Sequence, residues 1–554
     1  VDIVWFIPVF VLGIISAWFF SEFPFYRLRP AVFLFFFSFA AGMVFWSEPE
    51  VIVDTSRYFT QAKHLEIYGV KYFFQEWGKE ISAWTDLPLV SFLYGTIFRF
   101  FGESRTYIQV FTTFLFSMTA VLAFFTGKIL WDEETGFLAG SLLLGIPYLF
   151  SQIPLMLIDV PAMFFLMLSV FTFCKAMEKG GMWVVAASFA MFCAVFSKYS
   201  TWMMLSVLPV IWVVYLIEEA RKSEVRSQKT DNPPATPPYL RGGWGGYHRL
   251  QTRRIFYRGI SVAFFAAILI TAVAIWKFDV ISQQIKFLRE YQAPGLKRWS
   301  EGFISTFCFQ THPLITLAAV YSVYEAVRKR NLMYAISCWL PLLIVLFQIE
   351  RSRYVLVTFP MYTLMASYGL QQIKRIEIRR FIVFGVVFSA LVVAIFSYLP
   401  FLQRMSVVNI RDAGEFINSV ESERIAVVTI PSSETIVNLE IAVPILDLYT
   451  EKEISYYHDA TYSPPFEEIR ESPLRFTWEF RTPRYYYPPL KKGGRGGFYD
   501  KSEAIVLISN GYVKTLPDYI EKELKGYSKN RVFDTSEGIF GFNPFVTVYL
   551  PGNK

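Results

Sequence analysis

Along the first 400 positions, apolar stretches of roughly 17–23 residues recur, each long enough to cross a ~30 Å hydrocarbon core as a helix. They cover 3–20, 31–47, 106–128, 137–155, 160–177, 181–197, 200–217, 256–276, 311–327, 333–349, 355–371 and 380–398. The pattern predicts an α-helical polytopic membrane protein with about 12 transmembrane helices. The first stretch is followed by a second and lacks a small-residue cleavage site, so it reads as a span rather than a signal peptide. The chain opens on Val1 instead of Met, which leaves the completeness of its N-terminus open.

Lysine and arginine set the orientation of such a bundle. The richest loops are 218–255, "VRKRN" (327–331) and "IKRIEIRR" (373–380). With spans alternating, all three fall on one side together with Arg27 and Arg29, and that side is the cytoplasm. "WDEETG" (131–136) falls there too, and acidic residues count little in this rule. The opposite side then receives 48–105, the "LIDVP" turn, "SKYS", 277–310, "IERSRY" and everything after residue 399.

Three pieces stand apart from the expected 1–400 bundle. The outer loop 48–105 contains "LPLVSFLYGTIFRFF", a short apolar segment interrupted by Arg99, which reads as a surface helix and not as a span. Residues 218–255 are polar, with proline and glycine, and suggest a flexible cytoplasmic linker. From about 401 to 554 the chain turns soluble. There "RIAVVTIP" and "EAIVLISN" look like buried strands and "LPDYIEKELKGY" like an amphipathic helix, so a small exported α/β domain is expected.

Two short stretches, "PPYLRGGWGGY" (Pro237 to Tyr247) and "PPLKKGGRGGF" (Pro488 to Phe498), share both prolines and all four glycines. Glycine pairs beside bases can cradle phosphate, but the topology puts the two on opposite sides of the membrane. Neither follows a strand and opens a helix. They read as one low-complexity insertion present twice in exposed loops.

Composition agrees with a membrane protein: 54% of residues are hydrophobic and only 18% charged, against about a quarter charged in soluble domains. The net charge of +7 is spread between apolar runs, a topology signal rather than a nucleic-acid-binding patch. The four cysteines all lie in apolar runs and indicate no disulfide framework. There is no Walker-type loop or nucleotide fingerprint, and the histidines are too scattered to suggest a metal site.

Charged residues beside spans are costly unless they face water or a partner, so they are functional candidates. Asp54 follows the second span on the outer side. Asp159 sits in the short apolar turn "PLMLIDVPAMFF". Each can also be read as a helix N-cap, and Pro161 favours a helix start next to Asp159. Lys198 in "FSKYST" and Arg351, Arg353 and Tyr354 in "IERSRYVLV" reach the same face, although singly each reads as a snorkelling anchor. Together they suit a reaction in which a carboxylate activates a nucleophile and cations hold an anionic leaving group. Arg57 is a further candidate, and so is His312 in "QTHPL", where a capping or interfacial role is the simpler reading.

Over roughly 31–400 the chain resembles the GT-C polytopic glycosyltransferases, in their protein O-mannosyltransferase-like and aminoarabinose-lipid A transferase-like branch. The resemblance lies in an ordered series: "DTSRYFTQAKHLEIYG", "TDLPLVSFLYGTIFRFFGES", "FTGKILWDEETGFLAGSLLLGIPYLF", "LIDVPAMFFLMLSVFTFCKA", "FSKYSTWMML" and "RSRYVLVTFPMYTLMASYGL". It implies transfer of a sugar from a polyprenyl-phosphate carrier to a lipid, glycan or protein acceptor, at the outer face of a cell inner (plasma) membrane. Asp54 then corresponds to the first-loop catalytic acid and Asp159 to the second-loop acid, with Lys198, Arg351, Arg353 and Tyr354 on the carrier phosphate. The two separated aspartates fit chemistry with or without a divalent cation. No other cofactor is implied.

The chain departs from the family pattern at two places. Many relatives have a second acid after the first, where this chain has Thr55. Relatives often carry Lys or His before the "PPL" pattern, where this chain has Asp86, so a phosphate-binding role does not carry over to that position. Two rival readings share the same outer residues. One is a transporter or flippase of a lipid-linked saccharide, the other a non-catalytic envelope assembly protein.

Overall fold

The computed structural model describes residues 3–23, 29–230, 243–292, 302–404, 407–430, 437–458, 475–478, 504–513, 515–535 and 543–552. The helices run α1 Ile3–Glu22, α2 Pro30–Met43, α3 Ile52–Glu76, α4 Pro88–Phe101, α5 Arg105–Leu130 and α6 Glu133–Leu143, then α7 Pro147–Phe150, α8 Asp159–Lys179 and α9 Met182–Ser197. They continue with α10 Ser200–Met204, α11 Val207–Thr230, α12 Gly243–Trp276, α13 Phe278–Phe287, α14 Pro313–Lys329 and α15 Tyr334–Leu346. Next come α16 Ser352–Val355, α17 Phe359–Leu370, α18 Ile376–Val393, α19 Leu399–Leu402, α20 Val408–Asn418, α21 Ala442–Tyr449 and α22 Asp518–Glu523. The strands are β1 Arg424–Ile430, β2 Glu453–His458, β3 Ala504–Asn510, β4 Tyr527–Phe533 and β5 Pro544–Pro551.

Every apolar stretch read from the sequence contains helix, but the stretches are not twelve equal spans. Among the described residues, five helical segments have the length and hydropathy to cross a membrane: Arg105–Leu130, Asp159–Lys179, Ser200–Lys222, Gln251–Trp276 and Ile376–Leu402. Others, such as Pro30–Met43 and Tyr334–Leu346, are shorter apolar helices. The stretch 137–155 is not one span. α6 ends at Leu143, Gly145 and Pro147 interrupt the pattern, and turns carry the chain on to Ile158. A proline lacks the N–H that would continue the ladder, so a new helix starts there instead. On α12, Phe264, Ile268 and Ile275 point outward, 59%, 49% and 72% exposed, as expected of a face meeting lipid.

Parts of the stretch 218–255 are helical, since α11 continues to Thr230 and α12 begins at Gly243, while 231–242 lie outside the described residues. Gly243 to Tyr247 of the first glycine-rich stretch therefore open a helix. Positions 237–242 and the whole second stretch, 488–498, lie outside the described residues.

Two glycines shape the outer loop. Gly69 breaks α3 with φ +84°, a conformation that strains any side chain. Gly95 lets α4 lie against α3, because a Cβ there would stand 2.6 Å from the Ala62 carbonyl oxygen. The two helices enclose Tyr58, Phe59, Ala62, Val90, Tyr94 and Phe98 together with residues 155–158.

The C-terminal residues build a five-stranded sheet in the order β2-β1-β3-β5-β4. β1 pairs in parallel with β2 and β3, while β5 runs antiparallel to β3 and β4. α20 and α21 cover one face and Ile520 of α22 the other. Both strands expected from sequence are present. "LPDYIEKELKGY" is helical only over Asp518–Glu523, and Tyr527 already belongs to β4. Leu448 of α21 packs into the core shared by α3 and α4, so the sheet region sits directly on the outer loop.

Candidate active site

Six charged side chains from distant parts of the chain form one continuous array. Asp86 lies 2.6 Å from Arg57, and Arg57 lies 3.2 Å from Asp54 Oδ1. The other oxygen of Asp54 pairs with Nη1 of Arg353. Arg353 Nε pairs at 2.7 Å with Asp159, whose second oxygen takes Lys198 at 2.5 Å. The three acids are thus interleaved with three bases, so the array is neutral. Local geometry delivers each member. Asp54 and Arg57 are one turn apart on α3. Asp159 opens α8, Lys198 ends α9 in extended backbone, and Arg353 sits on the single turn of α16. Every junction is a helix end, where the chain turns back and polar groups are concentrated.

Neither aspartate is a helix cap. Asp54 lies inside the first turn of α3, whose N-cap Val51 makes no side-chain bond, and Asp159 follows Ile158, which makes none either. Both carboxylates are spent on cations. The same holds for Lys198 and Arg353, which are held inward by Asp159 instead of snorkelling outward.

Exposure separates the three acids. The Asp54 side chain is 21% exposed, that of Asp86 2% and that of Asp159 0%. Burial alone would raise the Asp54 carboxyl, but the charges of Arg353 and Arg57 outweigh it and hold it well below the usual carboxylate range. Asp54 is therefore an ionised carboxylate that solvent or a substrate can reach.

Tyr354 lies between two cations, with Lys198 Nζ 4.9 Å and the Arg351 guanidinium 5.5 Å from its ring centre. His312 is not drawn into the array. Its Nδ1 caps α14 by accepting from the Leu314 N–H at 3.2 Å, and its Nε2 meets Ser389 of α18 at 3.0 Å. Among the described residues, no group of three or more His, Cys, Asp or Glu stands at metal-binding spacing. A cavity of about 570 Å³ between α11 and α12, bordered by Leu216, Ile217, Phe256 and Tyr257, contains none of these residues.

Sequence reasoning missed two residues. Asp86 appeared there as a departure from a pattern, not as part of the site. Glu50 received no role, yet its fully buried carboxylate ties the two acidic segments together. It accepts from Thr55 at 2.9 Å, beside Asp54, and from the Met156 N–H at 3.0 Å, three residues before Asp159. Its other oxygen takes Arg105 at 3.0 Å, and its own N–H donates to Tyr449 of α21 at 3.0 Å. The usable signal was composition, since Glu48 and Glu50 are acids placed directly at the exit of an apolar run.

The fold is that of a helical protein with several helices long and apolar enough to cross a membrane, and it resembles solved structures. A family model described as dolichyl-phosphate-mannose-protein mannosyltransferase matches residues 86–230, a stretch holding Asp86, Asp159 and Lys198. No curated protein sequence matches the chain. Among solved structures, ArnT from Cupriavidus metallidurans bound to undecaprenyl phosphate aligns with a TM-score of 0.54 at 12% identity, covering 93% of this chain and 97% of that one. Its apo state aligns equally well, over 94% and 99%. The archaeal oligosaccharyltransferase AglB from Archaeoglobus fulgidus, in complex with an inhibitory peptide and a dolichol-phosphate, gives a TM-score of 0.45 at 10% identity, over 88% and 70%, a likeness too remote to carry weight.

Proposed function

We propose that this protein is a membrane glycosyltransferase that moves a sugar from a polyprenyl-phosphate carrier to a hydroxyl of a lipid, glycan or protein acceptor. The reaction takes place on the extracytoplasmic face of the cell inner membrane. The observation that carries this reading is the partly exposed, ionised Asp54 held beside Arg353, which is open to a similar degree, while Asp86 and Asp159 behind them are buried. The family match over 86–230 and the ArnT-like fold support it.

Asp54 orients the acceptor O–H. The acceptor oxygen forms its bond to the anomeric carbon as the bond from that carbon to the phosphate oxygen breaks. The electron pair stays on the carrier phosphate, and the acceptor proton passes to Asp54. A carboxylate held this acidic is a weak base, so the proton moves late, once the attacking oxygen has become positive. Lys198, Arg351 and Arg353, with Tyr354 beside them, meet the leaving phosphate. As the phosphate draws on Arg353, Asp54 loses a compensating charge and becomes a stronger base, which couples base strength to donor binding. Asp159, fully enclosed, is assigned to holding Arg353 and Lys198 rather than to touching the sugar. Single displacement inverts the anomeric configuration.

The test is sugar transfer by the purified protein, with polyprenyl-phosphate sugars and candidate acceptors, reading the anomeric configuration of the product. An inverted glycoside is expected. Carrier movement across liposomes with no transfer from any donor would replace this reading with that of a flippase.

A further inference from the structure

Asp86 occupies a different kind of place from Asp54. Its side chain is enclosed, and it is gripped from several elements. It takes Arg57 Nε at 2.6 Å and accepts from Gln61 Nε2 at 3.2 Å. Gln61 is fixed in turn, donating to the Ser82 carbonyl at 3.0 Å and accepting from Ser91 at 2.6 Å. The Asp86 carbonyl accepts from Gln284 of α13 at 2.7 Å, and Gln284 accepts from the hydroxyl of Tyr199 at 2.6 Å. No substrate reaches this carboxylate, so any influence on the reaction must pass through Arg57.

Arg57 divides its guanidinium. Its contact with Asp86 is short, while Nη2 stands 3.2 Å from Asp54 Oδ1 and 3.0 Å from the Tyr58 hydroxyl. Arg353 takes Asp54 Oδ2. Oδ1 is then the less engaged oxygen of the partly exposed acid, and it stays so as long as Arg57 is drawn towards Asp86.

We propose that Asp86 is a positioning residue for the transfer reaction, holding Arg57 back so that Asp54 Oδ1 is left to the acceptor hydroxyl. This rests on the glycosyltransferase reading above. The groups facing Asp86 are Arg57, Asp54, Tyr58 and Gln61 from α3, Arg353 from α16, Tyr199 from the α9–α10 junction and Gln284 from α13. Burial lifts the Asp86 carboxyl to about 6 against the lowering charge of Arg57, whereas Asp54 stays far below the usual range. Of these two acids, Asp86 is the one that changes charge between pH 5 and 7. On its protonation the charge of Arg57 falls undivided on Asp54, which weakens the base and blocks Oδ1.

The experiment is the pH dependence of transfer from pH 5 to 8 by the full chain, for wild type, Asp86→Asn and Asp86→Glu. For the wild type, kcat/KM should fall on the acid side with a midpoint near pH 6. Asp86→Asn should be slower by about tenfold above that midpoint, the size of one lost charge-assisted hydrogen bond. It should also be flat from pH 5 to 7, with the KM for the carrier sugar unchanged. Asp86→Glu should restore the acid limb. A flat wild-type profile overturns the proposal whether or not the variants fold, and so does an Asp86→Asn enzyme with wild-type rate and limb. Absence of transfer by the wild type at every pH brings down the glycosyltransferase reading itself, so the two failures are told apart.

Discussion

Helix α3 carries two charged clusters that are built from similar parts and differ in their balance of acids and bases. The first is the array from Asp86 to Lys198. The second joins Lys63 to Glu103, at 2.9 Å, and to Asp447 of α21, and lies close to the Glu50–Arg105–Tyr449 contact. In the first, acids and bases balance, and one acid is open. In the second, Lys63 faces two carboxylates, and burial raises the Glu103 carboxyl well above its usual range despite that lysine. The second cluster lacks the one-to-one pairing of acids with bases found in the first. It fastens the sheet region to the helix that bears Asp54. Balance of charge is what separates the proposed reacting array from the cluster that ties the two regions together.

Substitutions in the two clusters should separate these roles. Arg353→Lys keeps the charge but loses the planar fork that joins Asp54 to Asp159. It should lower kcat/KM by about a hundredfold with the thermal midpoint little changed, which kinetics and a melting curve will check. Lys63→Met should do the reverse. It leaves Glu103 and Asp447 facing each other across the interface, with side chains 17% and 9% exposed. The expected loss is about 2 kcal/mol, below the ~3–5 kcal/mol of a fully buried broken pair because water still reaches these groups. Transfer should stay within about threefold, measured below the melting transition. A Lys63→Met protein that keeps its stability but loses transfer would move the second cluster into the catalytic machinery.

The sequence disclosed what depends on local pattern and hid what depends on long-range pairing. Apolar runs announced the helices, and lone acids at their ends announced Asp54 and Asp159. That Arg353 lies between those two acids could not be read, because almost 200 residues separate it from Asp159. Asp86 looked like a mere departure because its meaning comes from Arg57, Gln61 and Gln284 closing round it. The break in 137–155 was legible in Gly145 and Pro147 but was outweighed by the hydrophobicity of the run. β4 was missed for the opposite reason. Its residues 528–531 are polar and exposed, as on a sheet edge, so neither alternation nor an apolar run marks it as a strand.

In the proposed mechanism Asp54 is the reacting base and Asp159 holds the cations that meet the carrier phosphate. Single-turnover transfer and carrier-sugar affinity, measured side by side for Asp54→Asn and Asp159→Asn, test it most directly. Asp54→Asn should lose transfer rate by about 10²–10⁴-fold while binding the carrier at least as tightly, because Arg353 is freed for the phosphate, whereas Asp159→Asn should lose affinity as well as rate. An Asp54→Asn protein that transfers sugar at the wild-type rate would contradict the mechanism.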